Sequence, residues 1–369
     1  MQVQSITLHK LQMDLKNPFK TSFGTVQNKE FFILEVKDHE GHIGYGETVA
    51  FTTPWYTEET TKTVEHMLID FLIPLVKENP LHHPEEVHEL FSSLRKNNMA
   101  KAALEMAIWD LYAKQQEISL REGIGGRKER IDVGISIGMQ PTTKQLIERI
   151  KMAIKQGFKR VKLKIGPEND LKLLETVREH FPDLPLMADA NSAYTLADID
   201  HLKQLDSFNL MMIEQPLAHD DIVDHARLQE QLETPICLDE SIHSFKDAKD
   251  AISLGSCAII NVKAGRVGGL TEAKKIHDYC LKEGIDLWCG GMLEAGIGRA
   301  HNIALASLEG FTLPGDIAGS QHYWDEDIIY PEVTVEDGQI AVPESKGIGY
   351  EIYEKILNKY KIASKTFSL

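Results

Sequence analysis

Val161-Lys162-Leu163-Lys164-Ile165, Leu186-Met187-Ala188-Asp189, Leu210-Met211-Met212-Ile213-Glu214, Ile236-Cys237-Leu238-Asp239 and Ala258-Ile259-Ile260-Asn261-Val262-Lys263 are five apolar segments that carry charge where a buried strand should emerge. The acids Asp189, Glu214 and Asp239 recur at an interval of 25 residues, which is about the length of one strand, one helix and their two loops. That interval is the step of a parallel β/α barrel. Working outward, Val133 to Ile137 reads as a first strand and Thr143 to Gln156 as a helix closed by Gly157. Ile285 to Cys289 and Phe311 to Asp316 read as the seventh and eighth strands. Alternation of strands and helices implies a parallel sheet, and eight strands imply closure.

The flanks read differently. Residues 3 to 15 and a hairpin from Glu30 to Gly46, turning at Asp38-His39-Glu40-Gly41, predict an antiparallel sheet. Helical patterns from Thr57 to Glu117 would cover it, and Gly123-Ile124-Gly125-Gly126 reads as a linker that ends the first domain. After Ser320, Glu332 to Val335 and Gln339 to Val342 around Asp337-Gly338 predict a hairpin, and the C-terminus is expected to return to the first domain. The aromatic loops Pro18 to Gly24 and Phe51 to Tyr56 suit either a substrate lid or local packing.

Composition excludes several classes of function. The chain has 369 residues, with 40 Lys and Arg against 56 Asp and Glu, a balance of −16. Such a surface repels nucleic acid and anionic membranes, so neither is an expected partner. The start lacks a signal-peptide pattern and no apolar run is long enough to span a bilayer; with four cysteines in no metal-type spacing, a cytoplasmic location is expected.

Strand residues alternate sides, so Lys162 and Lys164 share one face and are expected to point to the barrel axis. Mutual repulsion and burial would depress the pKa of at least one amine and make it a base; the bland alternative is that both simply pair with nearby acids. Asp189, Glu214 and Asp239 fall at the rim where barrels carry their sites, and their oxygens are expected to converge. At about 4 Å each carboxylate pair repels by about 4 kcal/mol at an effective dielectric of 20, so the cluster calls for a cation. An all-oxygen set suits Mg²⁺, with Mn²⁺ as a substitute, better than zinc or iron. Lys263 ends the sixth strand across the barrel from Lys162 and Lys164, giving a base on each face of a carboxylate held at the metal. Abstraction of a proton α to that carboxylate is the expected reaction class.

Lys162-x-Lys164, Asp189-Ala190-Asn191, Glu214-Gln215-Pro216, Asp239-Glu240-Ser241 and Lys263 together resemble the enolase superfamily, in its muconate-lactonizing subgroup. Pro18-Phe19, Thr21 to Gly24, Gly46-Glu47 and Gly347-Ile348-Gly349 extend the resemblance to both ends of the chain. The resemblance implies a (β/α)₇β barrel at 127–319, capped by an α+β domain built from 1–126 and the tail 320–369. Asn261 to Arg266 and Gly290 to Arg299 are most similar to o-succinylbenzoate synthases related to N-succinylamino acid racemases, and Arg266 is similar to the racemizing members. This implies a Mg²⁺-dependent lyase of menaquinone synthesis that dehydrates 2-succinyl-6-hydroxy-2,4-cyclohexadiene-1-carboxylate through an enediolate, with racemization of N-succinylamino acids as a second activity. Alternatives are a dedicated N-acylamino acid racemase, another epimerase or cycloisomerase of the subgroup, or a silent barrel that binds a metal or small acid. Asp316-Ile317-Ala318 departs from the Asp-x-Asp of dipeptide epimerases, which counts against a dipeptide. The implied roles are catalytic for Lys164, Lys263 and Lys162, and metal-binding for Asp189, Glu214 and Asp239. Ser136, Asn191, Arg266, Gly291, Met292, Phe19, Phe23 and Tyr56 are the implied substrate contacts. A small carboxylate is the expected partner, and the resemblance implies a homo-oligomer.

Overall fold

The computed structural model describes residues 1–21 and 24–369, the side chains of residues 19–25 excepted; Phe19 and Phe23, two expected substrate contacts, therefore lie outside the described side chains. Strands β1 (Val3–Thr21), β2 (Gly24–Asp38) and β3 (Ile43–Glu47) form an antiparallel sheet. The helix Asn98–Gln115 lies directly on β3. Gly44 and Gly46 make that approach possible: a Cβ on Gly44 would stand 2.1 Å from the carbonyl oxygen of Ala107, and one on Gly46 2.0 Å from that of Ala103. The helix answers with alanines at 102, 103 and 107, and it is apolar and buried around most of its circumference.

The second sheet begins after β4 (Arg130–Asp132). Strands β5 (Ile135–Ile137), β6 (Val161–Lys164), β7 (Leu186–Asp189), β8 (Ile213–Glu214), β9 (Ile236–Leu238), β10 (Ile259–Val262) and β11 (Asp286–Cys289) are parallel and adjacent in chain order. The expected eighth strand is not a regular one. Residues 311–316 nevertheless close the circle: the backbone N of Leu313 and Asp316 donate to Leu287 and Cys289 on β11, at 3.1 and 2.9 Å. On the other side Gly315 exchanges bonds with Asp132 and Gly134, ahead of β5. Pro314 lacks an N–H and interrupts the ladder, which is the physical reason for the irregularity. Met187, Met212, Cys237, Ile259 and Trp288 form a separate apolar cluster from alternate positions of the parallel strands, as the two-residue period requires.

Two further expectations are corrected. The glycine-rich linker is the end of a short helix, Leu120–Ile124, with Gly125 at φ +88° as its left-handed cap. The Asp337-Gly338 turn forms, but β13 (Gln339–Ala341) pairs with β4 rather than with residues 332–335. Flanking β13 in the chain, β12 (Ile329–Tyr330) pairs with β14 (Glu351–Ile352). The final strand, β15 (Lys361–Ser368), runs antiparallel beside β1.

Two buried carboxyl groups of the N-terminal part seat on the starts of barrel helices. Glu47 accepts from the backbone N of Ala295 and Gly298, both at 2.8 Å, at the helix Gly296–Ala306. Glu105 accepts from the backbone N of Leu270 and Thr271, both at 2.8 Å, at the helix Leu270–Glu283, and from the Trp109 indole at 2.8 Å. Helix starts leave such donors without intrahelical partners, so a carboxyl from another element satisfies them. Glu105→Ala is expected to lower the unfolding free energy in a urea titration by about 3 kcal/mol, because buried N–H groups lose their acceptor. A loss below about 1 kcal/mol would show that this contact does not hold the two parts together.

Candidate active site

Parallel register brings the charged strand ends level. Lys164 is the partner of Asp189, and Asp189 of Glu214, while Glu214 faces Cys237, so Asp239 stands two residues further along. Lys263 directly follows β10. The order across the sheet is thus amine, three acids, amine.

Each acid is paired with at least one cation, and Lys162 is shared among three. Lys162 Nζ lies 3.1 Å from Glu214 Oε2, 3.4 Å from Asp189 Oδ2 and 2.6 Å from Asp316 Oδ2. Lys164 Nζ donates to Asp189 Oδ2 at 2.6 Å and makes a close bond to Asn191 Oδ1. Lys263 Nζ donates to Asp239 Oδ2 at 2.7 Å and to the Tyr56 hydroxyl at 2.8 Å. Arg266 is buried; it holds Asp239 Oδ1 closely, donates to Tyr56 at 3.0 Å and to the Asn261 carbonyl at 2.7 Å.

The oxygens of the three carboxylates do not all lie within 4.8 Å of one another, because lysine amines stand among them. Among the described residues, the acid and histidine group whose ligand atoms gather within 4.8 Å is Asp38, Glu40 and His42 at the β2–β3 turn. There Asp38 also accepts from the backbone N of Glu40 and His42, at 2.9 and 2.8 Å. At the strand ends, repulsion between like charges and attraction to the inserted amines turn the carboxylates toward the lysines, Asp189 and Glu214 sharing Lys162.

The expectation of a depressed lysine pKa is corrected for Lys162. Burial works against the charge of Lys162, but Asp316, Glu214 and Asp189 outweigh it and raise its pKa well above the usual lysine range. Lys263 is raised likewise, burial being overcome by Asp239. Glu214 is pushed up to about 8, first by burial and then by Asp189. Burial also raises Tyr56, to about 12, with Asp239 adding to it. Asp239 is held low despite burial, because Lys263 and Arg266 face it.

The residues fit a hard divalent cation. Three carboxylates on consecutive strands supply oxygen alone, Glu214 is wholly buried beside a second acid, and two buried acceptors, Glu240 Oε2 and Asn261 Oδ1, have no partner among the described residues.

The remaining expected contacts are placed as follows. Tyr56 reaches the site from the loop after β3, so this aromatic loop does face the strand ends. Ser136 Oγ donates to Asp316 Oδ2 at 3.1 Å. Asn191 lies between Lys164 and Glu240, to whose Oε1 its Nδ2 donates at 2.9 Å. Gly291 backs onto the Asp316 carbonyl, where a Cβ would stand 2.7 Å away, and Met292 is buried with its backbone N on Glu294 Oε2 at 2.8 Å.

Arg160, Asp316 and Glu240 were missed from the sequence. Asp316 binds Arg160 Nη2 at 2.7 Å as well as Lys162, and Arg160 and Lys162 both lie on the Trp288 ring, at 4.9 and 5.0 Å. The signal was present: Arg160 shares the alternation of Lys162 and Lys164, and Asp316 ends the closing segment as the other acids end their strands.

Fold and site define an enzyme of the capped α/β-barrel class. Two family models account for most of the chain: Mandelate racemase / muconate lactonizing enzyme, N-terminal domain, over residues 3–125, and Enolase C-terminal domain-like over residues 145–356. The chain belongs to the enolase superfamily, whose members generally bind a divalent metal. It is 59% identical over 365 residues to the o-succinylbenzoate synthase of Geobacillus stearothermophilus, covering 99% of this chain and 97% of that one. It is 45% identical to the N-succinylamino acid racemase of Thermus thermophilus, covering 95% of each. The solved structure of an enolase superfamily member from Listeria innocua superposes with a TM-score of 0.98 at 48% identity, covering 100% of this chain and 99% of that one.

Asp316→Asn is expected to cost about 3 kcal/mol in chemical denaturation, since Arg160 and Lys162 stay buried with one anion fewer. An unchanged midpoint would show that the other acids absorb both cations.

Proposed function

We propose that this protein is a Mg²⁺-dependent lyase that dehydrates 2-succinyl-6-hydroxy-2,4-cyclohexadiene-1-carboxylate to o-succinylbenzoate, with racemization of N-succinylamino acids on the same residues. The observation that carries the reading is the order Lys164, Asp189, Glu214, Asp239, Lys263 along five adjacent parallel strands. The two kinds of relative support the pair of activities.

Asp189, Glu214 and Asp239 would hold the cation, which when bound supplies positive charge against the substrate carboxylate as that group gains electron density. Lys164 takes the α-proton, and the Lys263 ammonium lies on the other side of the acids to stabilise the charge that develops. Lys164 then returns the proton to the departing hydroxyl, which leaves as water while the ring becomes aromatic. In racemization the second face is served instead by Lys263, so one lysine removes a proton and the other delivers one. For either amine to act as a base it must lose its proton first, and substrate binding has to displace the ion pairs that Lys164 makes with Asp189 and Lys263 with Asp239. Lys162 stays paired with Asp316 and Glu214, as a cation facing the carboxylate end of the substrate.

In this reading residues 1–126 and 320–369 form the cap and 127–319 the catalytic barrel. Four buried free thiols support a cytoplasmic location, and among the described residues no helix is long and apolar enough to cross a membrane.

Exhaustive chelation is expected to abolish dehydration, with Mg²⁺ or Mn²⁺ restoring it and Zn²⁺ serving poorly, as an oxygen-only set dictates. Full activity after chelation would remove the role given to the three acids. Asp239→Asn is expected to weaken Mg²⁺ affinity by calorimetry.

The lysines are separated by isotope exchange. Lys164→Ala is expected to lose dehydration and racemization alike. Lys263→Arg, which keeps the cation but is a very poor base, should still exchange the α-proton of one N-succinylamino acid enantiomer in D₂O and not the other. Equal exchange of both enantiomers by that variant would sink the two-base assignment.

A further inference from the structure

Lys164 ends β6 with an amine on a flexible stem, and an ammonium of this kind takes whatever direction its acceptors impose. It has two: Asp189 Oδ2 at 2.6 Å and Asn191 Oδ1 in a close bond. A side-chain amide can present either its oxygen or its nitrogen, so the second acceptor exists only if Asn191 is turned one way. Glu240 turns it. Its Oε1 accepts from Asn191 Nδ2 at 2.9 Å, and a carboxylate oxygen placed there excludes the opposite orientation.

The backbone agrees with this arrangement. Asn191 has φ +42°, a left-handed conformation that asparagine tolerates better than most residues, and its own N donates to Asp189 Oδ1 at 3.1 Å. Glu240 is buried and follows Asp239 at the end of β9, three strands from Lys164, and it does not touch the amine. Lys263 is hydrogen-bonded to different groups, Asp239 and Tyr56, and Glu240 acts on it only through its charge.

We propose that Glu240 is a positioning residue for Lys164: by fixing the Asn191 amide it aims that amine, and, having no hydrogen bond to Lys263, it thereby governs proton transfer more strongly on one face of the substrate than on the other. The inference rests on the two-lysine reading above and adds to it a residue with a face-specific effect.

The test follows α-proton exchange of each enantiomer of an N-succinylamino acid in D₂O by proton NMR, with Mg²⁺-loaded full-length protein. The enantiomer that Lys263→Arg still exchanges marks the Lys164 face. Glu240→Leu is expected to slow exchange on that face by about tenfold or more relative to the other, since a displaced group commonly costs that much. Glu240→Gln keeps an oxygen for Asn191 Nδ2 and is expected to recover most of the rate. Mg²⁺ affinity is measured by calorimetry for each variant and exchange is followed at saturating Mg²⁺, so that a weaker hold on the metal is read apart from a loss of proton transfer. Equal slowing of both faces by Glu240→Leu, or no slowing, overturns the inference while leaving the two-lysine reading in place. Should Glu240→Leu not fold, Asn191→Asp sets two carboxylates against each other and is expected to slow the same face. Adding Glu240→Gln to it supplies an amide donor and is expected to reverse that loss; failure to reverse it counts against the proposal. Wild-type protein that exchanged neither enantiomer would remove the two-lysine reading, and this inference with it.

Discussion

Buried negative charge at the carboxyl ends of β7, β8 and β9 is the constraint around which the molecule is arranged. Asp189, Glu214 and Asp239 are each nearly inaccessible to solvent, and Glu240 joins them from the next position in the chain. Unpaired carboxylates cannot be sustained there, because desolvation of an ion costs more than any single contact returns. Lysines 162, 164 and 263 with Arg160 and Arg266 provide the balance, and Asp316 in turn satisfies Arg160 and Lys162. The two bases of the proposed reaction are therefore also the counter-ions of the proposed metal ligands. One set of charges serves stability and chemistry.

The same principle joins the N-terminal part to the barrel. Glu47 and Glu105 each end on a row of backbone N–H groups at the start of a barrel helix, and Lys29 ties Glu47 to the Leu293 carbonyl at 2.9 Å. The glycines of β3 let the helix Asn98–Gln115 lie close enough for Glu105 to reach across. Rigid docking then delivers Tyr56 to Lys263, Arg266 and Asp239. A side chain from outside the barrel thus completes the site, and its hydroxyl links the second lysine to the arginine beside it.

Asp316 bears on the choice of substrate. Its carboxylate is taken up by Lys162, Arg160 and Ser136, so it is engaged inside the protein rather than offered to an amino group. That arrangement agrees with the departure from Asp-x-Asp and favours an acidic substrate without a free amine. With three acids around it, Lys162 holds its proton more tightly than usual, which suits the role of a cation given to it in the proposed reaction.

Much of this was legible in the chain. Alternation along a strand is local, so the shared face of Lys162 and Lys164 and the recurrence of acids at strand ends follow from residue order and hydropathy alone. The parallel barrel follows from the same repeat, and the motifs that carry the family resemblance lie within it. What residue order does not contain is which oxygen faces which nitrogen. Whether Lys164 meets Asn191 or another group, whether three acids draw together or each turns to a cation, and whether the barrel closes by a ladder or by an irregular segment at Pro314 depend on distances between elements far apart in sequence. Those distances are set by packing and by the summed field of all nearby charges. Local periodicity therefore determined the strands and the candidates upon them, and only the tertiary structure decided their pairing, because electrostatic energy depends on separation in space and not on separation along the chain.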